Sequence, residues 1–288
     1  MQFVIPTAFS PPDHLLAMAR AAEEHGWDAV AISDHVVHPE RIESPYPYTA
    51  DGSLRWSADT AWPDPWVAIG AMAAVTSRLR FLTNIYVLAL RNPFLAAKAV
   101  ATAAALSGGR VALGVGVGWC REEFALAGQP FEGRGARTDE MIEVLRKLWS
   151  GAFVEHRGRF YAFERVRMLP APGAPVPIYG GGLSAPALRR AARLDGWVSD
   201  IHRRAELAEI IATLRRLRAE AGLAERPFAV VATCSDVFDA DGIRRLEELG
   251  VTHYATAPWL FYGGSWASLP DKVDGMRRFA DDVIAKLR

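Results

Sequence analysis

Short runs of apolar and β-branched residues alternate along the chain with longer stretches in which Ala, Leu and charged residues recur at helical spacing. The runs at 2–6, 28–33, 79–88, 110–117, 176–179, 197–199, 228–233 and 253–257 predict strands. The stretches at 12–25, 64–76, 93–106, 134–149, 184–193, 204–221, 241–250 and 270–287 predict a helix after each one. Asp13 is placed to cap the first helix and Gly26 to end it. Runs such as Phe228-Ala229-Val230-Val231-Ala232 are apolar without alternation, as expected of strands covered on both faces. An open doubly wound sheet shares this order of elements, so the count of eight strand–helix units is what favours a closed (β/α)8 TIM barrel, one domain over residues 1–288.

Two stretches interrupt the rhythm. Residues 36–63 carry Tyr46, Tyr48, Trp56 and Trp62 among prolines where a short loop would suffice. Long loops in compact domains are usually functional or disordered, and the aromatic content favours a substrate wall or lid. Residues 151–176, after the fourth βα unit, hold an alternating run around Gly158 that predicts a hairpin insertion.

Composition narrows the partners. Lys plus Arg and Asp plus Glu each count 33, giving a formal net charge of zero. That leaves no basic footprint for nucleic acid and none for an anionic membrane surface. The apolar stretches are shorter than the roughly 20 residues of a membrane span, and no basic segment precedes an apolar run at the start, as in a signal peptide. Cys120 and Cys234 form neither a disulfide framework nor a metal-ligand spacing, so a cytoplasmic protein without a metal is expected.

Barrel chemistry gathers at the C-terminal ends of the strands. The second strand ends in Ser33-Asp34-His35, where a histidine beside a carboxylate could exchange a proton near neutral pH; an ordinary polar strand end is the alternative. The fourth runs into Gly114-Val115-Gly116-Val117-Gly118-Trp119, whose glycines could let a flat ring approach the backbone or serve a tight barrel corner. Their spacing is not that of a dinucleotide-binding fingerprint. The fifth ends in Tyr179-Gly180-Gly181-Gly182-Leu183-Ser184 at a helix start, either a phosphate cradle or a flexible helix entry. Asp200 and His202 follow the sixth strand as a second rim pair, structural or substrate-facing. Cys120 lies where a nucleophile could sit but lacks an activating motif, and Arg134 and Arg137 suit ion pairing with Asp139 and Glu140 at a helix start or contact with an anionic cofactor tail.

These segments resemble the luciferase-like flavin and deazaflavin oxidoreductases along most of the chain. The likeness is carried by His25-Gly26-Trp27-Asp28 through Asp34-His35, Arg91-Asn92-Pro93 with Ala97-Lys98, and Ser107-Gly108-Gly109-Arg110 leading into Gly114 to Trp119. Glu122-Glu123-Phe124, Arg134 to Glu140 with Leu148-Trp149, Pro177 to Gly182 and Asp195-Gly196-Trp197 complete it. Asp34-His35-Val36-Val37, the Tyr/Pro-rich loop and Glu122-Glu123-Phe124 are similar to the branch that uses coenzyme F420, a 5-deazaflavin; FMN is the alternative cofactor. The resemblance implies a (β/α)8 barrel that transfers hydride to or from a small organic substrate. An FMN-dependent monooxygenase and a non-catalytic cofactor-binding protein are the competing readings. It implies catalytic roles for His35 and Asp34, and a bulge at Thr83-Asn84-Ile85 behind the cofactor ring with a non-proline cis peptide at Asn84–Ile85. Val115, Gly116, Gly118 and Trp119 would border the ring, and Gly180, Gly181, Gly182 and Ser184 would take phosphate. Tyr46, Tyr48, Trp62 and His202 are the candidate substrate contacts. Trp119 stands where some relatives have an acid, so no acid role is carried to that position. A homodimer and a separate enzyme that reduces the cofactor are the implied partners.

Overall fold

The alternation of apolar runs and amphipathic stretches becomes a ring of strands inside a ring of helices in the computed structural model, which describes all 288 residues. In chain order the first half comprises β1 (Gln2–Pro6), α1 (Leu15–Glu24), β2 (Ala29–Ile32), α2 (Pro65–Ala73), β3 (Arg80–Thr83), β4 (Tyr86–Val87), α3 (Pro93–Leu106), β5 (Val111–Gly116), α4 (Arg121–Leu126) and α5 (Arg134–Leu148). The second half comprises β6 (Val154–Arg157), β7 (Ala162–Val166), β8 (Ile178–Gly181), α6 (Ala185–Ala191), β9 (Gly196–His202), α7 (Arg204–Glu220), β10 (Ala229–Cys234), α8 (Ala240–Leu249), β11 (His253–Ala255) and α9 (Leu269–Asp282). Parallel pairing runs β3-β2-β1-β11-β10-β9-β8-β5, and a β3–β5 pairing closes the ring of eight. The protein is therefore a (β/α)8 barrel.

Alternate residues of each strand face opposite ways. Val4, Ala29, Ala31, Leu82, Ala112, Val198, Val231 and Ala255 fill the lumen, half of them alanines that suit a narrow interior. Their neighbours Phe3, Ile5, Val30, Phe81, Leu113 and Val115 face outward into the layer shared with the helices.

The helix starts obey capping chemistry. Asp64 accepts hydrogen bonds from the Trp66 and Val67 amides, Asn92 accepts from Phe94, and Pro65 and Pro93 open their helices where no amide is needed. The expected Asp13 cap is absent. Pro12–His14 forms a 3-10 turn ahead of α1, so Asp13 lies inside the first turn instead of before it. Gly26, at φ +77°, ends α1 as expected.

Arg110 explains the Ser107-Gly108-Gly109-Arg110 segment. Its guanidinium donates to the carbonyls of Ala73, Thr76, Leu79 and Ser107 and to Thr76 Oγ1, joining the C-terminal ends of α2 and α3 to the starts of β3 and β5. This lies at the end of the barrel associated with stability.

The run predicted as one strand over 79–88 is interrupted. Leu82 pairs with Ala112 but Tyr86 pairs with Val115, so β3–β4 contains one residue more than β5. The extra residue falls at Asn84–Ile85, which are joined by the expected cis peptide. The predicted hairpin is present as antiparallel β6–β7. Glu140 of α5 holds its tip, accepting from the amides of Arg159, Phe160 and Tyr161. No helix is long and apolar enough to cross a membrane.

Candidate active site

Asp34 and His35 leave the tip of β2 in opposite directions. The Asp34 side chain is wholly buried and meets the Arg91 guanidinium through two bonds of 2.6 Å, while also accepting from the Val87 amide at 2.8 Å. Arg91 in turn donates to the Val87 carbonyl and lies over the Tyr86 ring, 4.3 Å from its centre. Burial pushes the Asp34 carboxyl up, opposed by the Arg91 charge and these hydrogen bonds. The expected pairing of Asp34 with His35 is thus corrected: Asp34 ties β2 to β4 beneath the mouth.

The carboxylate that meets His35 belongs to Glu123, at the start of α4. His35 Nδ1 lies 3.0 Å from Glu123 Oε2, and Glu123 Oε1 accepts from the Val36 amide at 2.7 Å. Glu123 is 3 % exposed, and burial alone would raise its carboxyl; His35 and the amides of Val36 and Val37 hold it below the ordinary value. An ionised carboxylate only accepts, so Nδ1 carries the hydrogen, and Nε2 is the ring atom left to exchange a proton with another molecule. Glu122 next door accepts from the amides of Glu43 and Ser44; these and Cys120 hold it down to about 2 despite burial. The two adjacent glutamates therefore anchor the start and the middle of the long loop.

That loop is a lid. Trp56, Trp62 and Trp119 surround the His35 ring at centroid distances of 4.9, 5.1 and 6.1 Å, and Tyr46 packs on Trp56, Trp119 and Tyr48. Arg55 grips both oxygens of Asp200 on β9 at 2.8 and 2.9 Å. In the ring order, β9 lies four strands from β2 in either direction, so the loop spans the mouth to the opposite wall. Asp200 and His202 are not a pair: both belong to β9, Asp200 binds the lid, and His202 Nδ1 faces Glu206 at 3.7 Å. His202 Nε2 and Trp62 Nε1 are buried without a hydrogen-bond partner.

The expected ring-bordering positions divide. Thr83 is fully buried and donates to the Gly114 carbonyl, and Val115 faces the helices, so neither side chain reaches the mouth. A Cβ on Gly114 would lie 2.0 Å from the Thr83 carbonyl oxygen, and one on Gly116 would lie 2.1 Å from Ile85 Cδ1. Ile85 also fills the space over Gly181. The alternating glycines accordingly admit the protein's own bulge, with Ile85 wedged between two strand tips. Gly118 admits Phe124 and Val87, and Gly180 lets the α6 backbone approach β8. Asn84, Ile85, Trp119, Gly181 and Gly182 remain half-buried at the mouth, and Ser184 caps α6 by accepting from the Ala187 amide.

Outside this cluster the sequence candidates have structural partners. The Cys120 thiol is buried, which pushes it up to about 12 and leaves it inert at neutral pH. Arg134 donates to the Gly118 carbonyl and Arg137 to those of Ala89 and Pro130, while Asp139 binds Arg190 and Glu140 binds the hairpin. The expected helix-start ion pairs do not form, because those carboxylates are engaged by other elements. At the opposite end of the barrel a cavity of about 310 Å³ lies among Glu23, Asp28, Arg78, Arg80 and Arg288. Glu23 there is engaged by the amides of Ser77, Arg78 and Leu79, and Asp28 by Phe3 N–H and Arg288. The histidine, its carboxylate and the lid all lie at the other mouth.

The chain is similar over its full length, at 39 % identity, to an uncharacterised protein of Mycobacterium tuberculosis that it also covers completely. It is 32 % identical over 256 residues to the F420-dependent glucose-6-phosphate dehydrogenase of Segniliparus rotundus, covering 86 % of this chain and 67 % of that one. Among solved structures, the coenzyme F420-dependent tetrahydromethanopterin reductase of Methanopyrus kandleri superposes with a TM-score of 0.77 at 18 % identity, covering 100 % of this chain and 99 % of that one. An F420-dependent secondary alcohol dehydrogenase in complex with an F420-acetone adduct gives 0.77 at 20 % identity, covering 99 % and 98 %. At those identities the structures attest to the shared fold. The luciferase-like monooxygenase model matches residues 2–278, and the protein belongs to that family.

Proposed function

We propose that the protein is an F420-dependent oxidoreductase that moves hydride to or from a small organic substrate. The observation that carries this reading is the His35–Glu123 pair at the barrel mouth, beneath a lid and beside the Ile85 bulge. The residues present suit a deazaflavin. Asn84, Ile85, Trp119 and the Gly181–Gly182 backbone would hold its ring, Ser184 would take phosphate, and the unpartnered His202 Nε2 and Trp62 Nε1 offer polar contacts to a bound molecule. The named F420-dependent relatives support that choice over FMN. When bound, the reduced cofactor supplies hydride.

The chain's own part is to orient, to exclude water and to handle the proton. With Nδ1 bound to Glu123, His35 Nε2 takes the proton from a substrate hydroxyl in oxidation and returns it to a carbonyl oxygen in reduction. Glu123 fixes the ring and stabilises the imidazolium. The aromatic lid keeps bulk water from the site.

The test is parallel titration with F420 and FMN, followed by turnover of Glu123→Gln. Saturable F420 binding is expected, with weak FMN binding and no oxygen uptake with reduced FMN. Glu123→Gln should lower turnover by about a hundredfold or more, because a neutral amide no longer stabilises the imidazolium, with F420 affinity unchanged. No uptake of F420, or wild-type turnover in the variant, would overturn the proposal.

A further inference from the structure

The cavity against His35 holds only about 10 Å³, no more than a water, so a substrate reaches the histidine by displacing the side chains now packed on it. Those side chains are Trp56 and Trp62, with Trp119 and Tyr46 behind them. Val37, Pro39 and Ile42 add aliphatic wall; the other lining groups are His35, His38, Cys120 and Glu123, with no lysine or arginine among them. Three arginines on the surrounding elements are each paired with a carboxylate: Arg55 with Asp200, Arg91 with Asp34 and Arg121 with Glu132. The approach is apolar as well. Val36, Ile201 and Phe238 stand half-exposed at three strand tips around the mouth.

An anion entering this box would lose its water and meet the Glu123 carboxylate beside His35, whereas a flat neutral ring replaces one aromatic contact with another. We propose that the substrate is a neutral, ring-bearing ketone or the matching secondary alcohol, admitted when Trp56 and Trp62 swing away from His35. The redox step rests on the function proposed above. In the reductive direction the carbonyl carbon gains the hydride of reduced F420, and its oxygen takes the proton from His35 Nε2. The products are the alcohol and oxidised F420. This separates the protein from relatives named for glucose 6-phosphate, a dianion for which the box offers no lysine or arginine.

Calorimetric titration of the protein, with and without F420, uses four probes: acetophenone, cyclohexanone, benzoate as a charged near-isostere of acetophenone, and glucose 6-phosphate. The neutral ketones should bind at least tenfold more tightly than either anion. Trp56→Ala and Trp62→Ala should each weaken acetophenone by about three- to tenfold, the span expected for one aromatic contact, and Trp56→Phe should restore most of the loss. Far-UV circular dichroism identifies a variant that fails to fold, and the other tryptophan then carries the test. Anions binding as tightly as ketones, ketones failing to bind, or affinity indifferent to both tryptophans would overturn the assignment. Ketone binding without F420 uptake would instead defeat the proposed function and leave the substrate class standing; F420 uptake without ketone binding would do the reverse.

Discussion

Asp34→Asn should unfold the barrel more readily without abolishing its chemistry. The carboxylate makes two bonds of 2.6 Å to Arg91 and one of 2.8 Å to the Val87 amide, and its side chain is fully buried. Breaking a buried pair by removing one partner typically costs about 3–5 kcal/mol, because the surviving charge is left uncompensated. Here the amide keeps one acceptor, and Arg91 retains the Val87 carbonyl and the face of Tyr86, so about 2–4 kcal/mol is expected. Urea unfolding at pH 7 reads this as a midpoint lowered by about 1 M at an m-value of about 3 kcal/mol per M. Arg91→Met in the Asp34→Asn background should recover part of the loss, since the orphaned charge is then gone. Turnover per folded molecule should stay within about tenfold of wild type. An Asp34→Asn variant with wild-type unfolding and no turnover would refute the reasoning, placing Asp34 among the reacting groups after all.

The remaining predictions concern packing, pH and assembly. Gly114→Ala should destabilise more than Gly116→Ala in the same urea assay, because its methyl meets the Thr83 backbone at 2.0 Å, whereas that of Gly116 meets the movable end of Ile85. Burial pushes His253 down to about 4, so it folds neutral; the unfolded chain takes up its proton first, and stability falls by about 2–3 kcal/mol as the pH drops from about 6.5 to 4. Replacing His253 by Gln should flatten that limb of a stability–pH curve. Helices α2 and α3 are apolar nearly all round, yet Val67 and Leu95 are 73 % and 71 % exposed, so these faces should meet in a homodimer. Sedimentation should find wild type as a dimer and Val67→Glu/Leu95→Glu as a monomer; equal mass for both would discard this interface.

The barrel was legible because most of its strands are short, largely apolar runs and the helix boundaries carry Asp64, Asn92 and Gly250 as local signals. The hairpin at Gly158 and the lid at Tyr46 to Trp62 were legible for a similar reason, the first from alternation and the second from aromatic residues in an overlong loop. The partners of charges were not. Asp34 and His35 are adjacent in sequence, but a strand sends neighbours to opposite sides, and nothing local reveals that Arg91 lies 57 residues from one and Glu123 88 residues from the other. Glu122-Glu123 was visible only as part of a family likeness, and its role in gripping loop amides required the fold. The glycines were ambiguous because an absent side chain marks a close approach without identifying the visitor. At Gly116 and Gly181 the visitor is Ile85.

The Arg55–Asp200 contact has a kinetic corollary. Its two side chains are 29 % and 21 % exposed, so dissolved ions reach the clasp and weaken it. Raising ionic strength should loosen the strap and hasten entry of an uncharged molecule. That trend runs opposite to the slowing that salt imposes on electrostatically guided encounters. The barrel would thus take in its guest faster in brine than in dilute buffer, with a bolt, and not a beacon, governing arrival.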